Sequence, residues 1–218
     1  MPSTSTAESL VSWLRTRDDC TLEKGLSDVE LRAAEAAFGI TWPPSWRAVL
    51  ARVHPIALPE PPTDPDGWSC WVRWPDWRLR DVAGTRQMIS QPIEGLLADV
   101  VHGFWWHAWG GAPTALSQRV ALAREQLATV PKLVPLRGHW YATSSDDDPV
   151  FDLVLADVWI PALTLADLAT GADQTDLPID AFPIGRVPFW SELSAYSARG
   201  HDDGGGPGPF AHLGTGGL

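Results

Sequence analysis

"GLSDVELRAAEAAFGITWPPSWRAVLARV", residues 25–53, carries the strongest local signals in the chain. Ser27 and Glu30 stand at the S-x-x-E spacing of a capping box, in which the hydroxyl accepts from the N3 amide and the glutamate reaches back to the cap's own N–H. Leu31, Ala34 and Phe38 follow as an apolar stripe, and Gly39 can close the helix in the left-handed conformation. This predicts a helix over Asp28 to Phe38. Pro43 and Pro44 suit a helix entrance, and Trp46, Val49, Leu50 and Val53 recur at helical spacing, which predicts a second helix over Ser45 to Val53.

Upstream, Leu10, Trp13 and Leu14 share one helical face, so a short helix is expected from Thr6 or Ala7. Downstream, "HPIALPEPPTDPDG" (54–67) is too rich in proline for regular structure and reads as a surface loop. "WSCWVRWPDWRL" (68–79) alternates aromatic and polar residues with Pro75 interrupting, which suits a short strand or edge strand running into a turn. "SQPIEGLLADVV" (90–101) reads as a brief helix. Leu116, Val120, Ala123 and Leu127 place a longer one over Thr114 to Thr129, stopped by Pro131.

The segments "KLVPLRG", "HWYAT" and "PVFDLVLADVWI" are strand-like and are separated by "RGH" and "SSDDDP", so an antiparallel meander is expected, with strands concentrated between Val72 and Trp159. "TLADLAT" suits a short helix and "VPFWSELSAYSA" a closing one. Residues 1–200 therefore read as a single α+β domain, and the Gly-rich residues 201–218 as a flexible tail.

Composition narrows the function. The 218 residues carry a net charge of −11 with a pI near 4.8. That argues against nucleic acid as a partner, since phosphate binding depends on clustered Lys and Arg. Cys20 and Cys70 have no metal spacing and read as ordinary thiols. No basic-then-apolar leader and no long apolar run is present, which predicts a cytoplasmic protein without membrane contact.

Thirteen Trp against two Tyr is the compositional oddity. Trp buries a large apolar body while its N–H still needs a partner, so it serves cores and interfaces alike. Trp13, Trp46, Trp106 and Trp159 are expected in the core, with Trp71, Trp74, Trp77 and Trp105 divided between core and surface.

"HGFWWHAWGG" (102–111) raises the possibility of a metal-dependent hydrolase built on Asp99, His102 and His107, extended by His139 and Asp146 to Asp148. The five-residue spacing of the two histidines puts them on different helical faces and fits no zinc motif. The expectation is no catalytic residue, no metal and no cofactor. His102 reads as a turn residue, His107 as a partly buried ring, His139 as a turn residue after Gly138, and "SSDDDP" as a solvated hairpin turn.

The order of segments resembles the SMI1/KNR4 family of the SUKH superfamily. The resemblance rests on residues 25–53, a W-x-x-W-P-x-W-R region, "PIEGLLADV", "FWWHAWG", "PKLVPLRGHWYATS" and "DPVFDL", and it spans roughly Lys24 to Leu168. It implies an α+β fold with N-terminal helices packed on a largely antiparallel sheet. It also implies a non-catalytic protein-binding module: in bacteria an immunity protein that neutralises a toxin, in fungi a regulatory scaffold. Charge and Trp content then suggest a basic toxin domain as partner, met by Trp71, Trp74, Trp105 and the turn Asp146, Asp147, Asp148. The region from Leu177 to Leu218 lies beyond the resemblance.

Overall fold

A computed structural model describes residues 4–59, 72–170 and 185–202. The elements run α1 (Thr4–Arg15), β1 (Cys20–Lys24), α2 (Asp28–Phe38), α3 (Pro44–Leu50), β2 (Val53–Ala57), α4 (Val82–Val101), α5 (Leu116–Leu127), β3 (Val134–Arg137), β4 (Trp140–Ala142), β5 (Val150–Val154), β6 (Asp157–Ala162), α6 (Leu165–Thr170) and α7 (Trp190–Asp202). The class is α+β. β1 and β2 form a two-stranded antiparallel sheet, and β3-β4-β5-β6 form a four-stranded antiparallel meander.

The four-stranded sheet is a wall between two cores. On one face Val134, Leu136, Ala142, Val150 and Ala162 join residues of α1, α2, α3 and α6. On the other, Tyr141, Phe151, Leu153, Val158 and Ile160 join α4, α5 and α7. The period-two alternation of a strand sends Val150 to the first core and its neighbour Phe151 to the second, both fully buried. The N-terminal helices therefore share a core with the sheet as expected, and a second helical layer covers the opposite face.

α2 has the expected bounds, with both halves of the Ser27–Glu30 capping box formed and Gly39 at φ 60 as its cap. α3 ends three residues earlier than its apolar spacing suggests. Leu50 O accepts from Leu26 N (2.8 Å), and a Cβ on Gly25 would fall 2.2 Å from Ala51 O, so only glycine permits this crossing of the two connections. Val53 then starts β2 instead of closing a helix. β2 corrects the reading of residues 54–57 as loop: Pro55 sits in a strand that needs ladder bonds on one side only. Residues 60–67 of that loop lie outside the described residues.

Residues 72–81 form no strand. Trp74 and Trp77, three apart, are both buried in the N-terminal core, which breaks period-two alternation. The backbone bonds side chains instead of a ladder: Trp77 N donates to His54 and Arg78 N to Asp76. This irregular strap crosses the β1–β2 sheet, where Arg78 binds Glu23, Glu30 and the carbonyls of Lys24 and Gly25.

α4 is twenty residues long and not brief. Asp81 caps its start by accepting from Gly84 N (2.8 Å). Pro92 inside the helix leaves Met88 O without its usual amide donor, and the Tyr141 hydroxyl donates to that carbonyl at 3.0 Å. α5 runs Leu116–Leu127; Leu116 is exposed, and only Ala123 and Leu127 of its apolar face are buried. The segment Val150–Ala162 is two strands around a tight turn, with Leu155 at φ 60. Among the described residues no helix is long and apolar enough to cross a membrane. α7 continues through Asp202, and residues 203–218 of the expected tail lie outside the described residues.

Candidate binding surface

α4 ends at Val101, and Gly103 at φ 114 reverses the chain, with Phe104 N donating to Asp99 O at 2.9 Å. The following residues close a 3-10 turn over His107–Trp109, in which Trp109 N donates to Trp106 O. The aromatic loop does not fold on itself alone. Trp109 stacks on Phe189 at 6.1 Å between ring centres, while Trp106 meets Phe189 and Tyr196 edge-on at 5.6 and 5.8 Å. Trp105 meets Trp109 edge-on at 5.2 Å and donates its indole N–H to Gly110 O.

Phe104, Trp106 and Phe189 are the buried floor of this cluster. Trp105 and Trp109 are half-buried, His107 is exposed, and Tyr196 keeps 42% of its surface in solvent. His107 is thus not the partly buried ring expected; it tilts over Trp106 from the solvent side at 4.3 Å. Phe189 adopts φ 71, a left-handed conformation costing of order 1–3 kcal/mol for a bulky residue. It is held there by its N–H on Glu192 Oε2 (2.8 Å) and by the rings around it.

The acidic turn is less free than a solvated hairpin. Asp146 accepts from Ser45 N at 2.8 Å and from its hydroxyl at 2.8 Å, and so caps α3 from 101 residues away; Pro43, the local N-cap residue, has no side chain that could. Asp148 accepts from Thr143 Oγ1 (2.7 Å) and pairs with Arg186 Nε (3.5 Å). Asp147 alone faces outward. Three residues beyond Arg186 stands Phe189, so the segment 186–189 ties the acidic turn to the aromatic loop. A cavity of about 370 Å³ adjoins this segment, lined in part by Gly39, Thr41, Lys132, Ser144, Asp148 and Arg186.

The other candidate residues fall elsewhere. Trp74 is 5% exposed, with its N–H on Asp19 O at 3.2 Å, and so presents no ring at the surface. Trp71 lies outside the described residues. Trp46, Trp106 and Trp77 are buried, whereas Trp13 and Trp159, expected in the core, are only half-buried. Asp99 is buried and accepts from Ala156 N at 2.7 Å, anchoring the β5–β6 turn on α4, while His102 is exposed with Nδ1 on Ala98 O. Among the described residues no three His, Cys, Asp or Glu side chains converge as metal ligands. Cys20 is half-buried, and desolvation raises its thiol to about 11, so little thiolate forms near neutral pH.

Two electrostatic constellations escaped the sequence reading. Arg137 pairs with Asp19 at 2.7 Å and stacks over Trp140 (4.7 Å) and Trp74 (5.8 Å). Burial pulls its guanidinium below the usual arginine range. Beside it His139 bonds Asp152, which raises the imidazole above its ordinary value, and Trp140 Nε1 donates to the same carboxylate at 3.0 Å. The second surrounds His54, buried between β2 and the strap. No sequence spacing marks either group, because each joins residues from separate elements.

No family model, curated protein or solved structure matches the chain.

Proposed function

We propose that the protein is a non-catalytic protein-binding module of the SMI1/KNR4 type, acting in bacteria as an immunity protein that occludes a basic toxin domain. The observation that carries this reading is the surface formed by Trp105, His107, Trp109 and Tyr196 on a buried aromatic floor and joined through residues 186–189 to the acidic turn. Rigid, half-exposed aromatics on a packed base supply large contact area at low entropy cost, as interface anchors do. Carboxylates beside them, on a chain of net charge −11, favour encounter with a basic surface. Of the aromatics expected to face a partner, Trp105 stands on this surface with Trp109 and Tyr196, Trp74 is buried away from it, and Trp71 lies outside the described residues.

The sequence resemblance over roughly Lys24 to Leu168 and the α+β class of the fold point the same way. The Asp99, His102 and His107 arrangement lends no support to a hydrolase, because the one buried carboxylate is spent on a backbone amide.

The test is binding of the purified chain to the product of an adjacent toxin-like gene, followed by interferometry. Trp109→Ala and Tyr196→Ala are expected to speed dissociation at least tenfold with little change in association. Full affinity in both variants would place the interface elsewhere, and turnover of a small molecule by the isolated chain would overturn the non-catalytic reading.

A further inference from the structure

His54 stands opposite Glu23 in the β1–β2 register, and its side chain is 0% exposed. Two obligate donors meet its ring. The Trp77 amide points at Nε2 from 3.2 Å, and Arg78 Nη1 lies 2.9 Å from Nδ1. Neither donor can accept, so a neutral ring can serve only one of them. The Trp77 amide is fixed by the backbone and takes the Nε2 lone pair. Arg78 Nη1 has Glu23 Oε2 at 2.7 Å to donate to, which leaves the ring proton on Nδ1, 3.7 Å from the same oxygen. An imidazolium would set N–H against N–H at Trp77 as well, and leave the ring no acceptor for either donor.

The charged groups around the ring are Glu23 from β1, Asp76, Arg78 and Arg80 from the strap, and Glu30 from α2 acting through Arg78. Asp76 Oδ1 lies 4.0 Å from Nε2. Both nearby carboxylates are already engaged, Glu23 by Arg78 at 2.7 Å and Arg80 at 2.9 Å, and Asp76 by Arg80 at 2.7 Å. They favour the charged ring, but each is already shared with a guanidinium, and the two arginines oppose it.

We propose that His54 is a pH-sensitive latch on the strap Val72–Asp81. Neutral, it holds the strap through the Trp77 amide; protonated, it releases it, and Trp74 and Trp77 leave the N-terminal core while the four-stranded sheet stays formed. Desolvation is the main reason the buried imidazole sits below its ordinary pKa; Asp76 opposes it and Arg78 adds to it. The ring therefore takes its proton when the strap opens, and opening is coupled to one proton. The opening equilibrium grows about tenfold per pH unit as pH falls from about 6.5 toward the depressed value of the closed state.

Native-state hydrogen exchange of the whole chain tests this, with each amide corrected for its intrinsic rate. The Trp77 amide is expected to show the tenfold-per-unit rise. Its opening should also be at least tenfold more populated than that of the Leu153 amide, which belongs to the sheet. His54→Gln keeps an acceptor near the position of Nε2 and does not titrate, so it should flatten the rise. Equal opening at Trp77 and Leu153 would make the event global unfolding and overturn the latch; an unchanged slope in His54→Gln would assign it to the carboxylates and do the same. Should that variant fail to fold, nitrogen shifts of His54 in the unaltered chain decide: an unprotonated Nε2 at neutral pH supports the proposal, and a protonated one defeats it.

Discussion

Tyr141 donates its hydroxyl proton to the carbonyl of Met88, the acceptor that Pro92 leaves without an amide, and so a residue of the sheet completes the hydrogen bonding of a helix 53 residues earlier in sequence. Burial raises the phenol far above its ordinary pKa, so it stays a donor at every physiological pH. Tyr141→Phe is expected to cost about 1–3 kcal/mol by stranding a buried carbonyl. Pro92→Ala restores an amide donor, so the same substitution in that background should cost less than half as much. Urea denaturation of the four proteins closes this cycle.

Asp146 and Asp147 are neighbours with different duties. Asp146→Ala removes the cap of α3 and should destabilise the fold by about 1–2 kcal/mol, whereas Asp147→Ala should stay within about 0.5 kcal/mol. In binding, the order reverses: neutralising Asp147 should slow association and weaken its salt dependence, since its charge faces outward. Thermal melts and salt-dependent association rates separate the two.

Asp99→Ala should cost about 1–3 kcal/mol because the Ala156 amide loses its buried acceptor. His102→Ala and His107→Ala, both at exposed positions, should change stability by no more than about 0.5 kcal/mol. A purified chain whose bound zinc disappeared in the double histidine variant would contradict the structural role given to Asp99.

The histidines set opposite pH limbs. His54 has a folded pKa below its unfolded value, so its contribution is intact above about 6.5 and is lost as pH falls from there toward the folded value. His139 is raised by Asp152, so its contribution is complete below about 6.5 and is lost as pH climbs through the raised folded value. From these two groups, stability is lost on both sides of about pH 6.5. Denaturation midpoints across roughly pH 5 to 8 should lose the acid limb in His54→Gln and the alkaline limb in Asp152→Asn, with His139 returning toward its ordinary pKa in the latter.

Local signals were legible and distant ones were not. The capping box at Ser27, the glycine cap at Gly39 and the alternation of Val150–Leu153 announce their elements because the chemistry lies within a few residues. Pro55 concealed β2, since a proline reads as loop until a partner strand is known. The strap reads as a strand from its mix of aromatic and polar residues, yet Trp74 and Trp77 stand three apart, and only His54, 23 residues away, explains where the Trp77 amide goes. For the candidate surface, Trp105 was legible from composition. Phe189 and Tyr196 were not, because nothing local links them to residues 104–109, and Asp146 gave no sign that it caps a helix start 101 residues distant.

The sheet that separates the two cores also couples them. Val150 and Phe151 hang from consecutive Cα atoms on opposite faces, so enlarging either side chain displaces a backbone whose other side is already full. Sequence drift in this chain is therefore not free to proceed layer by layer. A bulkier residue tolerated under α1 has to be matched by a slimmer one beneath α7, and homologues should trade volume across the strands in pairs of adjacent positions. The surfaces beyond the helices carry no such bond and can diversify on their own without rebuilding the interior.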